Sequence, residues 1–271
     1  MSATAVLMCM AAGADPSLAR QAVSTTSSAL RSGDAIFLHV DGAENCPEGA
    51  LREAAAKIPI HFVFSSARIG LAAGLNKLIN ICLAESQWQF FARMDADDQC
   101  LPDRFQLQRN YLSADPRTDI LGGRCHEVDE HGRHLRTKKL PLTHEQIMAH
   151  LPKRNPLNHP TVMVRRRVFE DGLRYRTDVG LVEDWYLWID AAVGGRRFSN
   201  QEEEVLVFRR SSDFFRKRGG ITQIMAEWRV RGHARRALGM GSPSNFLYAL
   251  GAMLARATPA GFQKILYRLV G

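Results

Sequence analysis

Two clusters of acidic residues hold most of the chemistry this sequence could perform. Asp95, Asp97 and Asp98 place three carboxylates within four positions, directly after the apolar run Trp88-Gln-Phe-Phe-Ala-Arg-Met94. Hard oxygen donors so spaced suit a small divalent cation, Mn²⁺ or Mg²⁺, which takes one or two carboxylates and completes its shell with water or substrate phosphates. A plainer use is also open: Asp98 or Asp103 can cap a helix that starts near Pro102. Glu183 and Asp184 form the second cluster, at the head of the amphipathic run Trp185-Tyr-Leu-Trp-Ile-Asp-Ala-Ala-Val193. The dipole of a helix favours an acid in its first turn. Between the clusters lies Asn155-Pro-Leu-Asn-His159-Pro, a polar turn running into a strand. His159 can serve a metal, an acceptor or the fold itself.

The elements that must position these groups follow from hydrophobic periodicity. Short apolar runs at Ala5–Met10, Ala35–Val40, Ile60–Phe64 and Trp88–Met94 read as buried strands. Helical stretches separate them: Asp15–Leu30, Pro47–Lys57 and Gly70–Ala84, the last with Leu71, Leu75, Leu78, Ile79 and Cys82 on one face. Another helix opens at Pro102 and runs through Tyr111. Alternation of this kind predicts an α/β fold with a mostly parallel, Rossmann-like sheet covered by helices. Ligands of such sheets bind outside the carboxyl ends of the strands, and Asp41 and Asp95 to Asp98 stand at two of those ends.

Charge divides the chain in two. The 271 residues carry a formal net charge of +8. From Arg209 to Gly271 twelve basic residues face two acidic ones, which makes the tail +10 and leaves the first 208 residues near −2. Five widely spaced cysteines without a C-x-x-C argue against a disulfide framework or a zinc knuckle and fit a reducing compartment. The opening residues lack the basic region of a signal peptide. The apolar run Phe246–Ala255 is interrupted by Gly251 and falls short of the ~20 residues that span a bilayer. A secreted or membrane-spanning protein is therefore not expected.

In their order, these motifs resemble family-2 glycosyltransferases of the GT-A fold, in particular the enzymes of bacterial exopolysaccharide, capsule and O-antigen assembly. Arg68-Ile-Gly70 through Asn76 is similar to the family's N-x-G-x-x-x-x-x-N, with Arg68 in place of the first asparagine. Asp95-Ala-Asp97-Asp98 through Pro102-Asp-Arg-Phe105 is similar to D-x-D-D-x-x-x-P-x-R-[LF]. Asn158-His159-Pro160 and Glu183-Asp184-Trp-Tyr-Leu-Trp supply the remaining pieces. Two further positions depart from the pattern: Met10-Ala-Ala-Gly13 replaces an aromatic-asparagine pair, and Val40-Asp41-Gly42 carries one aspartate where two are usual.

The resemblance implies a GT-A catalytic domain over residues 1–220 and a basic amphipathic helical extension over 221–271. It implies a metal-dependent, inverting enzyme that moves a sugar from a nucleotide-diphospho-sugar to a lipid-linked saccharide. Asp41 would contact the base, Asp95 the ribose, and Asp97 the cation, with Asp98 and His159 as further ligands. Asp184 would be the catalytic base with Glu183 beside it. Arg68, Asn76, Arg216 and Arg218 would line the donor site. The arginine-rich tail helices suit an anionic membrane surface, which places the enzyme in the cytoplasm on the inner face of the bacterial membrane. Two rival classes are a nucleotidyltransferase, which lacks here its usual glycine-rich basic loop, and a nucleic-acid binder, for which no module is visible. No nucleic-acid partner is expected.

Overall fold

The computed structural model describes residues 2–11, 13–42, 46–137, 139–210 and 220–257. Its sheet contains β1 (Ala3–Ala11), β2 (Ala35–Asp41), β3 (Ile60–Ser65), β4 (Trp88–Asp95), β5 (Gln99–Cys100), β6 (Ile120–Val128), β7 (His134–Thr137), β8 (Met163–Arg165) and β9 (Phe198–Arg209). The strands lie in the order β3-β2-β1-β4-β8-β6-β9-β5, with β7 paired to β6. The first four are parallel, and the chain leaves β3 to return on the far side of β1. The crevice of a doubly wound sheet opens at that reversal. Register places Ala11 beside Asp41 and Cys9 beside Asp95, so both acidic strand ends face one crevice.

Strand faces alternate between two cores. Ala5, Leu7, Ala35 and Phe37 point to one side, with Leu75, Leu78 and Trp188. Val6, Met8, Met10, Ile36, Leu38 and Val40 point to the other, with Ala19, Leu51 and Phe105. The helices that cover these faces are α1 (Pro16–Ala29), α2 (Glu48–Ala55), α3 (Leu71–Leu83), α4 (Arg104–Ala114), α5 (His144–His150), α6 (Arg166–Glu170) and α7 (Glu183–Val193). Asp15 caps α1, accepting from the Ser17 amide at 2.8 Å. The second half of the sheet mixes directions within the expected mostly parallel arrangement, β6 and β9 being parallel. β8 runs antiparallel to both β4 and β6, and β5 antiparallel to β9. A three-residue strand and a two-residue strand are too short to show a periodicity in the sequence.

Two tail helices follow, α8 (Ile221–Ala237) and α9 (Pro243–Ala257). α8 docks on the catalytic body: Val230 and Ala234 are fully buried in the core that contains Trp185 and Trp188. Arg231 of α8 is buried too. It pairs with Glu227, donates to the Lys153 carbonyl at 2.8 Å and lies over the Trp185 ring. The end of the expected helical extension, residues 258–271, lies outside the described residues.

α3 approaches β2 closely because residue 74 has no side chain. A Cβ at Gly74 would overlap the buried imidazole of His39, whose Nε2 bonds to Ser65 Oγ at 2.9 Å. Gly74→Ala is therefore expected to destabilise the fold by about 1–3 kcal/mol, overpacking outweighing the better helix propensity of alanine. Chemical denaturation of a double-mutant cycle checks this: the same substitution made in a His39→Ala background should be nearly neutral.

Candidate functional site

β4 delivers Asp95 at its last residue, and the turn into β5 carries Asp97 and Asp98. One carboxylate oxygen from each lies within 4.8 Å of the others. Asp97 is exposed, Asp95 half-buried and Asp98 only 1% exposed. Asp98 Oδ1 accepts from the Arg209 amide at 2.9 Å, while Oδ2 is buried without a hydrogen-bond partner. Burial, reinforced by Asp95 and Asp97, pushes the Asp98 carboxyl well above the usual range. The capping alternative is not taken, since Asp103 precedes α4 without a side-chain capping bond. A buried oxygen with nothing to bind, beside two further carboxylates, fits a divalent cation.

Arg93 stands at the centre of this acidity. It is 3% exposed, pairs with Asp95 and donates to the Met94 carbonyl. Burial opposes its charge, but Asp95 and the neighbouring Cys9 and Tyr175 raise its pKa and keep it protonated. Arg104, fully buried at the head of α4, donates to the Arg93 carbonyl at 2.6 Å and to Gln108 Oε1 at 3.2 Å. Gln108 in turn donates to the Thr161 carbonyl at 2.7 Å, so α4 braces both β4 and the turn before β8. Neither arginine received a role from the sequence. A charge inside an otherwise apolar strand run was the available signal for Arg93.

The head of α7 meets this centre. Asp184 accepts from Asn155 Nδ2 at 2.6 Å and from the Trp185 amide at 2.7 Å, which fixes both of its oxygens. Asn155 is thus a site residue that sequence reasoning missed. Glu183 is 7% exposed and its Oε2 has no hydrogen-bond partner. Burial, then Asp184 and more weakly Asp95, push its carboxyl up to about 7, against a pull from Arg93.

The other predicted residues are placed differently. Asp41 accepts from the Ile69 amide at 2.7 Å and the Gly70 amide at 2.9 Å, pinning the loop that presents the exposed Arg68. Asn76 does not present its amide to the crevice. It donates to the Tyr175 carbonyl at 2.8 Å and accepts from the Tyr175 amide at 2.9 Å, latching α3 to the segment before α7. His159 is absent from the carboxylate group. Its Nε2 bonds to the Tyr175 hydroxyl at 2.9 Å and its ring meets Trp188 edge-on. Burial, with Arg93 nearby, lowers its pKa far below the ordinary range, so it is a neutral structural histidine. Arg209 reaches Gln21 and the Glu130 carbonyl, and Arg210 pairs with Glu127, so both are engaged within the fold. Arg216 and Arg218 lie outside the described residues. A cavity of about 480 Å³ between the end of α4 and the start of β9 contains none of the predicted residues.

Comparison with known proteins gives a consistent picture. The family described as "Glycosyl transferase family 2" matches residues 23–173. The amylovoran biosynthesis glycosyltransferase AmsE of Erwinia amylovora is 31% identical over 194 residues, covering 72% of each chain. The Escherichia coli UDP-Gal:alpha-D-GlcNAc-diphosphoundecaprenol beta-1,3-galactosyltransferase is 26% identical over 207 residues, covering 74% of this chain and 72% of that one. Among solved structures, the mannosyltransferase PcManGT of Pyrobaculum calidifontis, in complex with GDP-Man and Mn²⁺, superposes with a TM-score of 0.62. It is 16% identical, and the match covers 98% of this chain and 78% of that one.

The raised pKa of Glu183 has a pH signature in metal-free protein. Between the ordinary value of 4.5 and about 7, the folded chain keeps a proton that the unfolded chain has released. Stability from this group is therefore complete at low pH and is lost as pH rises through that window. Glu183→Gln should melt like the parent near pH 4 and exceed it by about 1–3 kcal/mol near pH 8.5. Denaturant titrations in EDTA at the two pH values measure the difference.

Proposed function

The chain belongs to glycosyltransferase family 2, and we propose that it moves a sugar from a nucleotide-diphospho-sugar to a hydroxyl of a lipid-linked saccharide, with inversion at the anomeric carbon, in surface polysaccharide biosynthesis. It is a glycosyltransferase with the GT-A fold. The observation that carries the finer reading is the meeting of the two acidic clusters about Arg93, at the open end of the parallel strands. The acceptor class is supported by the diphosphoundecaprenol named in the E. coli relative, and the polysaccharide context by AmsE.

In this reading Asp97, with Asp95 and Asp98, holds the divalent cation. Bound there, the cation offsets the charge of the donor diphosphate and stabilises it as a leaving group. Asp95 faces the ribose. The loop pinned by Asp41 closes over the base and carries Arg68 toward the phosphates. Asp184 takes the proton from the attacking acceptor hydroxyl, with Asn155 and the Trp185 amide orienting its carboxylate for the transfer. Arg93 keeps the neighbouring acids tolerable to one another while the donor is absent.

We also propose that residues 221–271 form a basic extension that meets the inner face of the bacterial cytoplasmic membrane. Among the described residues no helix is long and apolar enough to cross a membrane. The side of the tail turned away from the core exposes Ile221 at 73%, Leu247 at 65%, and Met225, Phe246 and Tyr248 to lesser degrees. Apolar side chains set among arginines suit an anionic interface.

Two experiments test these readings. Asp97→Ala and Asp184→Asn should each lower sugar transfer by about 10²–10⁴-fold, the scale of a lost general base. Thermal shift with a panel of UDP-, GDP- and dTDP-sugars, with and without Mn²⁺, should show a cation-dependent rise for one donor that Asp97→Ala abolishes. Full transfer by both variants would overturn the assignment. Flotation of the full chain with anionic vesicles at low salt should carry the protein to the lipid fraction, and the absence of flotation would rule out the membrane contact.

A further inference from the structure

Beside α7, and away from the acidic crevice, α8 and the segment before α7 enclose a cleft of about 400 Å³. Arg176, Arg229, Arg235 and Arg236 line it, together with Tyr186 and Trp228, and no carboxylate does. Asp190 lies behind the wall and is occupied: it takes both Nε and Nη2 of Arg176, at 2.8 and 2.7 Å, and sits 3.4 Å from His233. Among the described residues no carboxylate pairs with Arg229, Arg235 or Arg236. Three guanidinium groups without a carboxylate partner give this cleft a concentrated positive field that attracts anions.

The lining is built rather than incidental. The Arg235 guanidinium lies 5.8 Å from the Trp228 ring centre and 5.5 Å from that of Phe246, placed between two aromatic rings. Its Nη1 is nonetheless buried without a hydrogen-bond partner, a donor aimed at nothing the protein supplies. Gly232 forms the floor, where a Cβ would lie 3.4 Å from Arg236 Nη1 and 3.9 Å from Arg235 Nη2. Glycine in a helix interior is worth about 1 kcal/mol less than alanine. At these distances an alanine would sit in ordinary contact, so the two guanidinium groups approach one another over this stretch of α8 without depending on the glycine. On the same side of α8, at helical spacing, stand the exposed Ile221 and Met225, and the exposed Phe246 of α9 meets Trp228 edge-on at 6.0 Å between ring centres.

We propose that this cleft binds the phosphate of an anionic phospholipid headgroup. Arg229, Arg235 and Arg236 act as donors, and the adjoining apolar side chains enter the acyl region beside it. Planar guanidinium groups match phosphate oxygens two at a time, and an apolar rim selects a phosphate that arrives on a lipid over one free in solution. The proposal rests on the reading that the tail meets a membrane and converts a general attraction into a defined site.

The discriminating variant keeps the charge and removes the fork. Arg235→Lys/Arg236→Lys has the same net charge as the parent, so diffuse electrostatics predicts unchanged binding to phosphatidylglycerol vesicles. A guanidinium-specific site predicts a loss of fivefold or more. Arg229→Lys, at an exposed position, should show a smaller loss in the same direction. Retention of full vesicle affinity by the double variant overturns the site, and thermal melts confirm that it is folded. Inorganic phosphate or pyrophosphate, added in EDTA at matched ionic strength, should not displace the parent from vesicles. Displacement at micromolar levels would assign a soluble phosphate compound and overturn the lipid source. A stronger response to vesicles doped with a prenyl diphosphate than to phosphatidylglycerol would overturn the headgroup assignment in favour of a diphosphate lipid. If the parent fails to float at all, the membrane reading of the tail falls, whereas flotation that is indifferent to the lysine exchange sinks only the site.

Discussion

A single buried cation, Arg93, is the constraint on which the site depends. Five carboxylates from two segments of the chain converge on the open end of β4, and at close range their mutual repulsion alone would scatter them. The Arg93 guanidinium, desolvated yet kept charged by Asp95, gives them a common partner from within the sheet. Its influence reaches Glu183 and Asp98, whose carboxyls it pulls down against burial, and His159, which it helps to keep neutral. Arg104 and Gln108 then hold the strand carbonyl behind it, so the cation is braced by α4 as well as by β4. One guanidinium does not balance five acids. The residual negative charge is of the kind that a divalent cation would offset.

Much of this was legible in the sequence because it is local. The four parallel strands and three intervening helices follow from apolar runs and turn residues, and observed boundaries differ from the expected ones by only a few positions. The two acidic clusters were visible because their members are adjacent in the chain. The parts that were not legible depend on partners far apart. Asn76 and Tyr175 are 99 residues apart, and Asn155 and Asp184 are 29 apart. No periodicity announces a polar side chain that will meet a backbone group on another element. Asn76 and His159 were read as site residues because they sit in recognisable motifs, yet their hydrogen bonds are with the fold. The antiparallel strands β5 and β8 are set by the pairing of their neighbours rather than by their own few residues.

The basic tail proved to be two things. Part of its charge is internal structure: Arg231 is sunk between Glu227, Trp185 and the Lys153 carbonyl, and it joins α8 to the body. Among the described residues, Arg229, Arg235 and Arg236 are instead gathered along one cleft. A net charge summed over a segment cannot distinguish a guanidinium that fastens a helix from one that awaits a ligand, because that distinction lies in burial and in the presence of a carboxylate partner.

The latch between Asn76 and Tyr175 bears on how variation at this position is to be read. A side-chain amide gives and receives one hydrogen bond with the same backbone residue. Aspartate would keep the acceptor and lose the donor, leucine would keep the volume and lose both, and glutamine would carry both groups one methylene too far. The position is closed to ordinary exchange for reasons of chain geometry alone. Asparagine there answers to the latch, and exchanging it would first loosen the hold of α3 on the segment before α7.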